Sequence, residues 1–261
     1  MVCSPEIAVT DALLRIEGLS KRFGGIVASD QISLVVTRRE LHAIIGPNGA
    51  GKTTLLGQLG GEIRPDAGRI EFDNLDITGL PGWRRNQLGL ARSFQITSLF
   101  PDFTVLDNVA LAVQAHAGHS FRFWRNARTE KSLREPARAA LSRLGIAGRG
   151  DVLVSKLSHG EHRQLEIAMA LATEPRMLLL DEPMAGMGPD ESARMVEILR
   201  ELKRGLTILL IEHDMEAVFA LADRITVLVY GRIIASGTPE AIRANAQVRE
   251  AYLGEQTNLD A

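Results

Sequence analysis

The sequence has 261 residues, 45% of them hydrophobic and 24% charged, enough to bury a core as one large domain or two small ones without disulfides or a structural metal. Lys and Arg number 30 against 32 Asp and Glu, a formal charge of −2. That balance excludes a global basic field for nucleic acid or anionic lipid, and the composition excludes disorder. A single cysteine, Cys3, cannot form an internal disulfide, and the six histidines have no Cys or His partner at metal-ligand spacing, so a reducing compartment is expected. No apolar run exceeds six residues, the length of residues 167–172, which is far short of the roughly 20 that span a bilayer. The N-terminus lacks a basic-then-apolar leader pattern, and the chain is not expected to cross a membrane by itself.

In chain order, alternating apolar positions at Leu14 and Ile16, and again at Ile32, Leu34 and Val36, predict antiparallel strands at one edge, broken by Gly24-Gly25 and Arg38-Arg39. Leu41-His42-Ala43-Ile44-Ile45 is a compact apolar run that stops at Gly46, followed by a glycine-rich turn and a helix from Thr53. Strand, glycine loop and helix is the order a nucleotide cradle requires. Between residues 101 and 157 no buried-strand run occurs, whereas Leu133, Ala137, Ala140, Leu141 and Leu144 follow helical spacing and predict a helical insert. Residues 177–180 and 207–211 have the unalternated character of strands buried on both faces of a parallel sheet, and Met195, Leu199 and Leu202 recur at helical spacing between them. Ligands of such sheets sit at the carboxyl ends of the strands, where Asp181, Glu182 and His213 fall. Residues 225–230 then turn at Gly231-Arg232 into Ile233-Ile234, before a short polar and helical tail.

Gly46-Pro47-Asn48-Gly49-Ala50-Gly51-Lys52-Thr53 matches G-x-x-x-x-G-K-[ST] in full. The glycines let backbone N–H groups converge on phosphate oxygens, and the following helix adds its positive end. Lys52 offers a point cation to the β/γ-phosphates, the Thr53 hydroxyl coordinates Mg²⁺, and Thr54 completes the nucleotide-binding set. Asp181-Glu182 places adjacent carboxylates at a strand end, one for the magnesium shell and one facing the attacking water. Acids often close strands, so this pair gains its weight from the phosphate loop.

With these motifs in place, residues 13–254 resemble the nucleotide-binding subunit of an ATP-binding cassette (ABC) transporter. The resemblance implies an α/β fold with a P-loop NTPase (RecA-like) core built on a parallel sheet, an antiparallel β edge subdomain and a helical insert. One domain is expected over 1–261: β subdomain and first part of the core at 1–95, insert at 96–165, second part of the core at 166–237 and tail at 238–261. It implies ATP and Mg²⁺ as cofactors and ATP hydrolysis as the activity. Gln95, in Ser93-Phe94-Gln95, resembles the glutamine that reaches metal and water, and is assigned with Thr53 and Asp181 to the metal. Leu157-Ser158-His159-Gly160-Glu161 resembles the LSGGQ motif, whose Ser158 hydroxyl and Gly160 amide grip a γ-phosphate. His213 resembles the switch histidine, so Glu182, His213 and Gln95 form the expected catalytic set, and Phe23 stands where the family places an aromatic ring against adenine. Bland readings stay open: Phe23 as core, Gln95 as a surface amide, His213 as a structural strand-end residue. His42, His116, His119 and His162 receive no functional role.

Two departures from the family pattern stand out. His159 replaces the first glycine of LSGGQ and Glu161 its glutamine; Glu161 is expected to point away from the anion or to pair with a cation such as Arg163. Ala185-Gly186-Met187-Gly188 stands where the family often reads Ser-Ala-Leu-Asp, so an aspartate contact across the dimer is missing.

The resemblance also implies partners. The LSGGQ-like segment serves the nucleotide of a second subunit, so a homo- or heterodimer with a second ABC ATPase is expected. Two transmembrane permease subunits, and indirectly a substrate-binding protein, complete the assembly at the cytoplasmic face of the inner membrane, with no nucleic acid involved. Leu90-Ala91-Arg92-Ser93-Phe94-Gln95, Ala185-Gly186-Met187 and Ala251-Tyr252-Leu253-Gly254 resemble ATPases of branched-chain amino acid importers. ATPases of urea uptake and lipopolysaccharide export share much of this pattern. Phe121-Arg122-Phe123-Trp124-Arg125 reads either as a helix packing face or as a contact with a membrane partner or headgroups. A soluble ABC ATPase is the competing class, against which the absence of long coiled coils or a second cassette counts. A small-molecule phosphoryl transferase is the third, and Ser158-His159-Gly160 before a helix counts against it.

Overall fold

The computed structural model describes residues 11–93, 99–118 and 130–256. In chain order the elements are β1 (Ala12–Phe23), β2 (Ile26–Thr37), β3 (Leu41–Ile45), α1 (Lys52–Gly60), β4 (Ala67–Phe72), β5 (Leu75–Asp76), α2 (Gly82–Gln87), β6 (Leu90–Arg92) and α3 (Val105–His116). They continue as α4 (Lys131–Arg143), α5 (His159–Leu171), β7 (Met177–Asp181), α6 (Pro189–Leu202), β8 (Thr207–Ile211), α7 (Met215–Leu221), β9 (Arg224–Val229), β10 (Arg232–Gly237), α8 (Pro239–Ala244) and α9 (Ala246–Gln256). The chain divides into two compact units, Met1–Pro81 with Ala222–Ala261 and Gly82–Leu221.

In the first unit, Gly24-Gly25 closes the β1–β2 hairpin with Phe23 opposite Ile26. Four strands in the order β2-β1-β4-β5 form an antiparallel sheet. The alternating residues Leu14, Ile16, Ile32, Leu34 and Val36 are all buried, with Leu14 opposite Phe72 and Ile16 opposite Ile70 of β4, so the period-2 pattern is the pattern of burial. β3 runs parallel to β9, which pairs antiparallel with β10. Every residue of β3 is buried, which is why it shows no alternation. Its one polar side chain, His42, is satisfied on both ring nitrogens, by Glu40 at 2.7 Å and Thr226 at 2.8 Å. Burial alone would push the Glu40 carboxyl up, but hydrogen bonds with His42 and Thr37 hold it below the usual carboxylate range.

In the second unit, β8-β7-β6 form a parallel set with Asp181 opposite Ile211. β7 and β8 are buried throughout. α6 begins with Pro189 at its first turn and turns Met195, Leu199 and Leu202 inward. The stretch read as a helical insert supplies α3 and α4. α4 buries Leu133, Ala137, Ala140 and Leu141, the face that the helical spacing marks, and Leu144 is buried just past its end. Among the described residues no helix is long and apolar enough to cross a membrane.

Candidate functional site

In the first unit, the loop between β3 and α1 carries the phosphate motif. Gly51 has φ +101°, and a Cβ there would come within 2.1 Å of the Ala28 carbonyl oxygen of β2, so only glycine lets the two backbones meet. The loop is tied from outside: the Gly231 N–H donates to Ala50 O at 2.9 Å, and the Asp30 N–H donates to Gly231 O at 2.8 Å. α1 starts at Lys52, one residue earlier than the sequence suggests, with no side-chain cap and no acid in its first turn, leaving its positive end uncompensated. Lys52 is 6% exposed, and its ammonium donates to Gly46 O at 2.6 Å and Pro47 O at 3.0 Å, inside the bend of the loop. Asn48, Gly49 and Thr53 face solvent, Pro47 and Thr54 are half-buried, and Gly46 and Ala50 are buried. Phe23 is not core: its ring is 49% exposed at the end of β1, with the Lys21 ammonium 5.4 Å from its centroid.

In the second unit, the chain leaves β7 at Asp181. The Asp181 side chain is fully buried and its Oδ2 lies 3.1 Å from Nη2 of Arg92 on β6. Glu182 then adopts φ +49°, a left-handed conformation costing about 1–2 kcal/mol for a residue with a Cβ. This kink breaks the alternation that would aim neighbouring side chains oppositely. The turn is stitched by the Glu182 N–H donating to Ile211 O at 2.9 Å. His213, just past β8, brings Nε2 to 2.5 Å from Glu182 Oε1, so the histidine and the second carboxylate form a pair at adjacent strand ends. Removing Arg92 leaves a buried carboxylate without its guanidinium, so Arg92→Ala is expected to lower unfolding free energy by ~3 kcal/mol in a urea titration, whereas a loss under ~1 kcal/mol would show that the pair adds little.

α5 opens the LSGGQ-like segment. The helix begins at His159, with Ser158 as its N-cap. Ser158 Oγ accepts from the Glu161 N–H at 3.2 Å, and Glu161 Oε2 accepts from the Ser158 N–H at 2.9 Å, a complete capping box. The expected partner of Glu161 is corrected: Arg149 grips its carboxylate through Nε at 2.6 Å and Nη2 at 3.1 Å, while Arg163 pairs with Glu166 at 3.0 Å. Two residues apart on a helix, Glu161 and Arg163 point to different sides; three apart, Arg163 and Glu166 meet. Arg149 and the Ser158 N–H hold the Glu161 carboxyl below its ordinary range, and burial pushes that of Glu166 up. His159 Nε2 donates to Ala185 O at 3.0 Å, fastening α5 to the turn that follows Glu182. Gly160 is pressed against α6: a Cβ would lie 2.7 Å from Glu191 Oε1. A cleft of about 280 Å³ opens here, lined by Arg149, Ser158, Gly160, Glu161, Glu191 and Arg194 among others.

Residues 29–185 match the family described as "ABC transporter". The chain belongs to the ABC transporter ATP-binding family. As a cassette of that family it binds and hydrolyses ATP to drive transport. Residues 232–257 of the cassette match a second family, "Branched-chain amino acid ATP-binding cassette transporter". The cassette is 39% identical to the high-affinity branched-chain amino acid transport ATP-binding protein LivG of Salmonella typhimurium, over 95% of this chain and 100% of that one. It is 35% identical to the lipopolysaccharide export system ATP-binding protein LptB of Haemophilus influenzae, over 95% and 100%. Among solved structures, the ADP conformation of an ATP-binding cassette of an ABC transporter superposes with TM-score 0.83 at 32% identity, covering 94% of this chain and 100% of that one.

The fold class read from the sequence is thus the observed one. Gln95 and the cluster 121–125 lie outside the described residues. Three residues escaped the sequence reading of the cassette: Arg92 on Asp181, Arg149 on Glu161, and Glu212, the carboxylate beside His213. The first two are charge partners brought in by folding, with no local spacing to reveal them; Glu212 stands next to a residue that was singled out, and its burial is what sets it apart.

Proposed function

We propose that this cassette powers the import of branched-chain or other amino acids. The reading rests on the match of residues 232–257 to the branched-chain amino acid cassettes, joined to the full-length likeness to LivG. It sits peripherally on the cytoplasmic face of the inner membrane, paired with an identical or different ABC ATPase beneath two permease subunits that a binding protein supplies. In a strain lacking the gene, uptake of labelled leucine is expected to fall to background and to return on complementation. Unchanged leucine uptake together with lost lipopolysaccharide export or urea uptake would move the cassette to one of those systems.

In the proposed mechanism the loop N–H groups and Lys52 hold the β- and γ-phosphates, and Phe23 stacks on adenine. The donors assigned to Mg²⁺, the Thr53 hydroxyl, the Asp181 carboxylate and the Gln95 amide oxygen, are hard oxygen ligands of the kind that ion takes, and they would hold it. Bound there, the ion would neutralise charge on the γ-phosphoryl oxygens. Glu182, oriented by His213, polarises water for in-line attack: a water lone pair forms the new O–P bond, the bond to the β–γ bridging oxygen breaks, and the proton passes to the Glu182 carboxylate.

Ser158 serves the nucleotide of the facing subunit in this proposal. Its oxygen already accepts from the Glu161 N–H, so its proton is left to donate to a phosphate oxygen. Ser158→Arg removes the cap and fills the approach. ATP-dependent dimers seen by analytical ultracentrifugation in a Glu182→Gln background are expected to disappear with Ser158→Arg and to survive Ser158→Thr. Dimers undiminished by Ser158→Arg would refute the shared site.

A further inference from the structure

Glu212 directly follows β8, still within its buried run, and it is only 4% exposed. A carboxylate there is disfavoured by lost solvation, and burial pushes its pKa up. An apolar side chain in the same space would avoid that penalty, so what the carboxylate touches matters. Its Oε1 accepts from the Met184 N–H at 2.8 Å, and its Oε2 accepts from the His213 N–H at 3.0 Å. The Asp214 backbone adds a further hydrogen bond. One carboxylate therefore binds two chain segments, 182–184 and 213–214, that carry the two side chains meeting at 2.5 Å, Glu182 and His213.

The Glu182 segment needs such a tie. Its backbone is left-handed, a conformation that persists only when the surroundings over-determine it. The Glu182 N–H to Ile211 O bond fixes the entry to the turn, and the Ala185 N–H to Glu182 O bond at 3.1 Å closes it. Glu212 grips the turn between them at Met184 and, with its other oxygen, sets where His213 leaves the sheet.

We propose that Glu212 is a positioning residue for ATP hydrolysis, holding Glu182 and His213 in register through backbone N–H groups without touching nucleotide; the proposal rests on the roles assigned to Glu182 and His213 above. It acts on turnover and not on ATP affinity, because the hydrogen bonds of its carboxylate go to Met184, His213 and Asp214, none of them assigned to hold the phosphates.

Glu212→Gln keeps the shape but turns an amide NH2 toward one of the backbone donors. It is expected to lower kcat at least tenfold with KM for ATP within about twofold of wild type. Amide exchange at Met184 and His213 is expected to quicken. In a His213→Ala background the same substitution is expected to lower kcat by less than it does in the wild type, since one of the two groups it positions is gone while Glu182 remains. Glu212→Asp, which keeps the charge and loses one methylene of reach, guards against misfolding of the first variant and is expected to reduce kcat in the same selective way. Wild-type kcat in either variant, an equal loss of kcat and ATP affinity, or a full additional tenfold loss in the His213→Ala background would overturn the proposal. The underlying assignment is checked separately: wild-type turnover in His213→Ala alone would remove the role of His213, while the exchange measurement would still report whether Glu212 holds the two segments.

Discussion

Glu182→Gln is expected to leave ATP binding intact while lowering turnover ~10²–10⁴-fold, the range for loss of a positioned general base. The amide preserves size and one acceptor oxygen but cannot take the proton of the attacking water. His213 Nε2 still has Oε1 to face, so the left-handed turn and the pair geometry are kept, and the defect falls on the chemical step. ATP then accumulates unhydrolysed in the closed dimer, which single-turnover kinetics and ultracentrifugation with Mg-ATP both read. Normal turnover in Glu182→Gln would remove Glu182 from the chemistry.

Lys52→Ala is the second large effect. The ammonium lies in the bend of the phosphate loop, donating to Gly46 O and Pro47 O, and is the charge proposed to meet the β/γ-phosphates. Its removal takes away that cation and its hydrogen bonds to the two loop carbonyls, of which Pro47 O keeps the Ala50 N–H at 3.2 Å. ATP affinity is expected to fall at least tenfold, about 1.4 kcal/mol, by isothermal titration. Lys52→Arg, whose planar fork cannot fit a bend only 6% open, is expected to restore little. Unchanged affinity in Lys52→Ala would place the nucleotide in another pocket.

What the sequence made readable followed from physical constraint. β3, β7 and β8 are buried on both faces, and burial on both faces is what a short unalternated apolar run between polar stops most directly encodes. The phosphate loop is written in consecutive residues because consecutive N–H groups must converge. β6 has three residues and β5 two, too few for any period to show, and the β4–β5 hairpin escaped for the same reason. The Glu161 partner was misread because a nearby cation in sequence points elsewhere on the helix, whereas Arg149 arrives from a short turn before α5. The left-handed backbone of Glu182 has no sequence mark, since glycine or asparagine is the usual signal for it. Arg92 and Glu212 are legible only once three strand ends are placed side by side.

The outer ties of the phosphate loop bear on kinetics. Ala50 is anchored through Gly231 and Gly51 is wedged on β2, so little chain freedom remains there to be frozen when fuel docks. For the nucleotide proposed to bind there, productive collision, rather than folding of the loop around its guest, is expected to set the association rate, and substitutions that spare those ties are expected to alter chiefly its residence time.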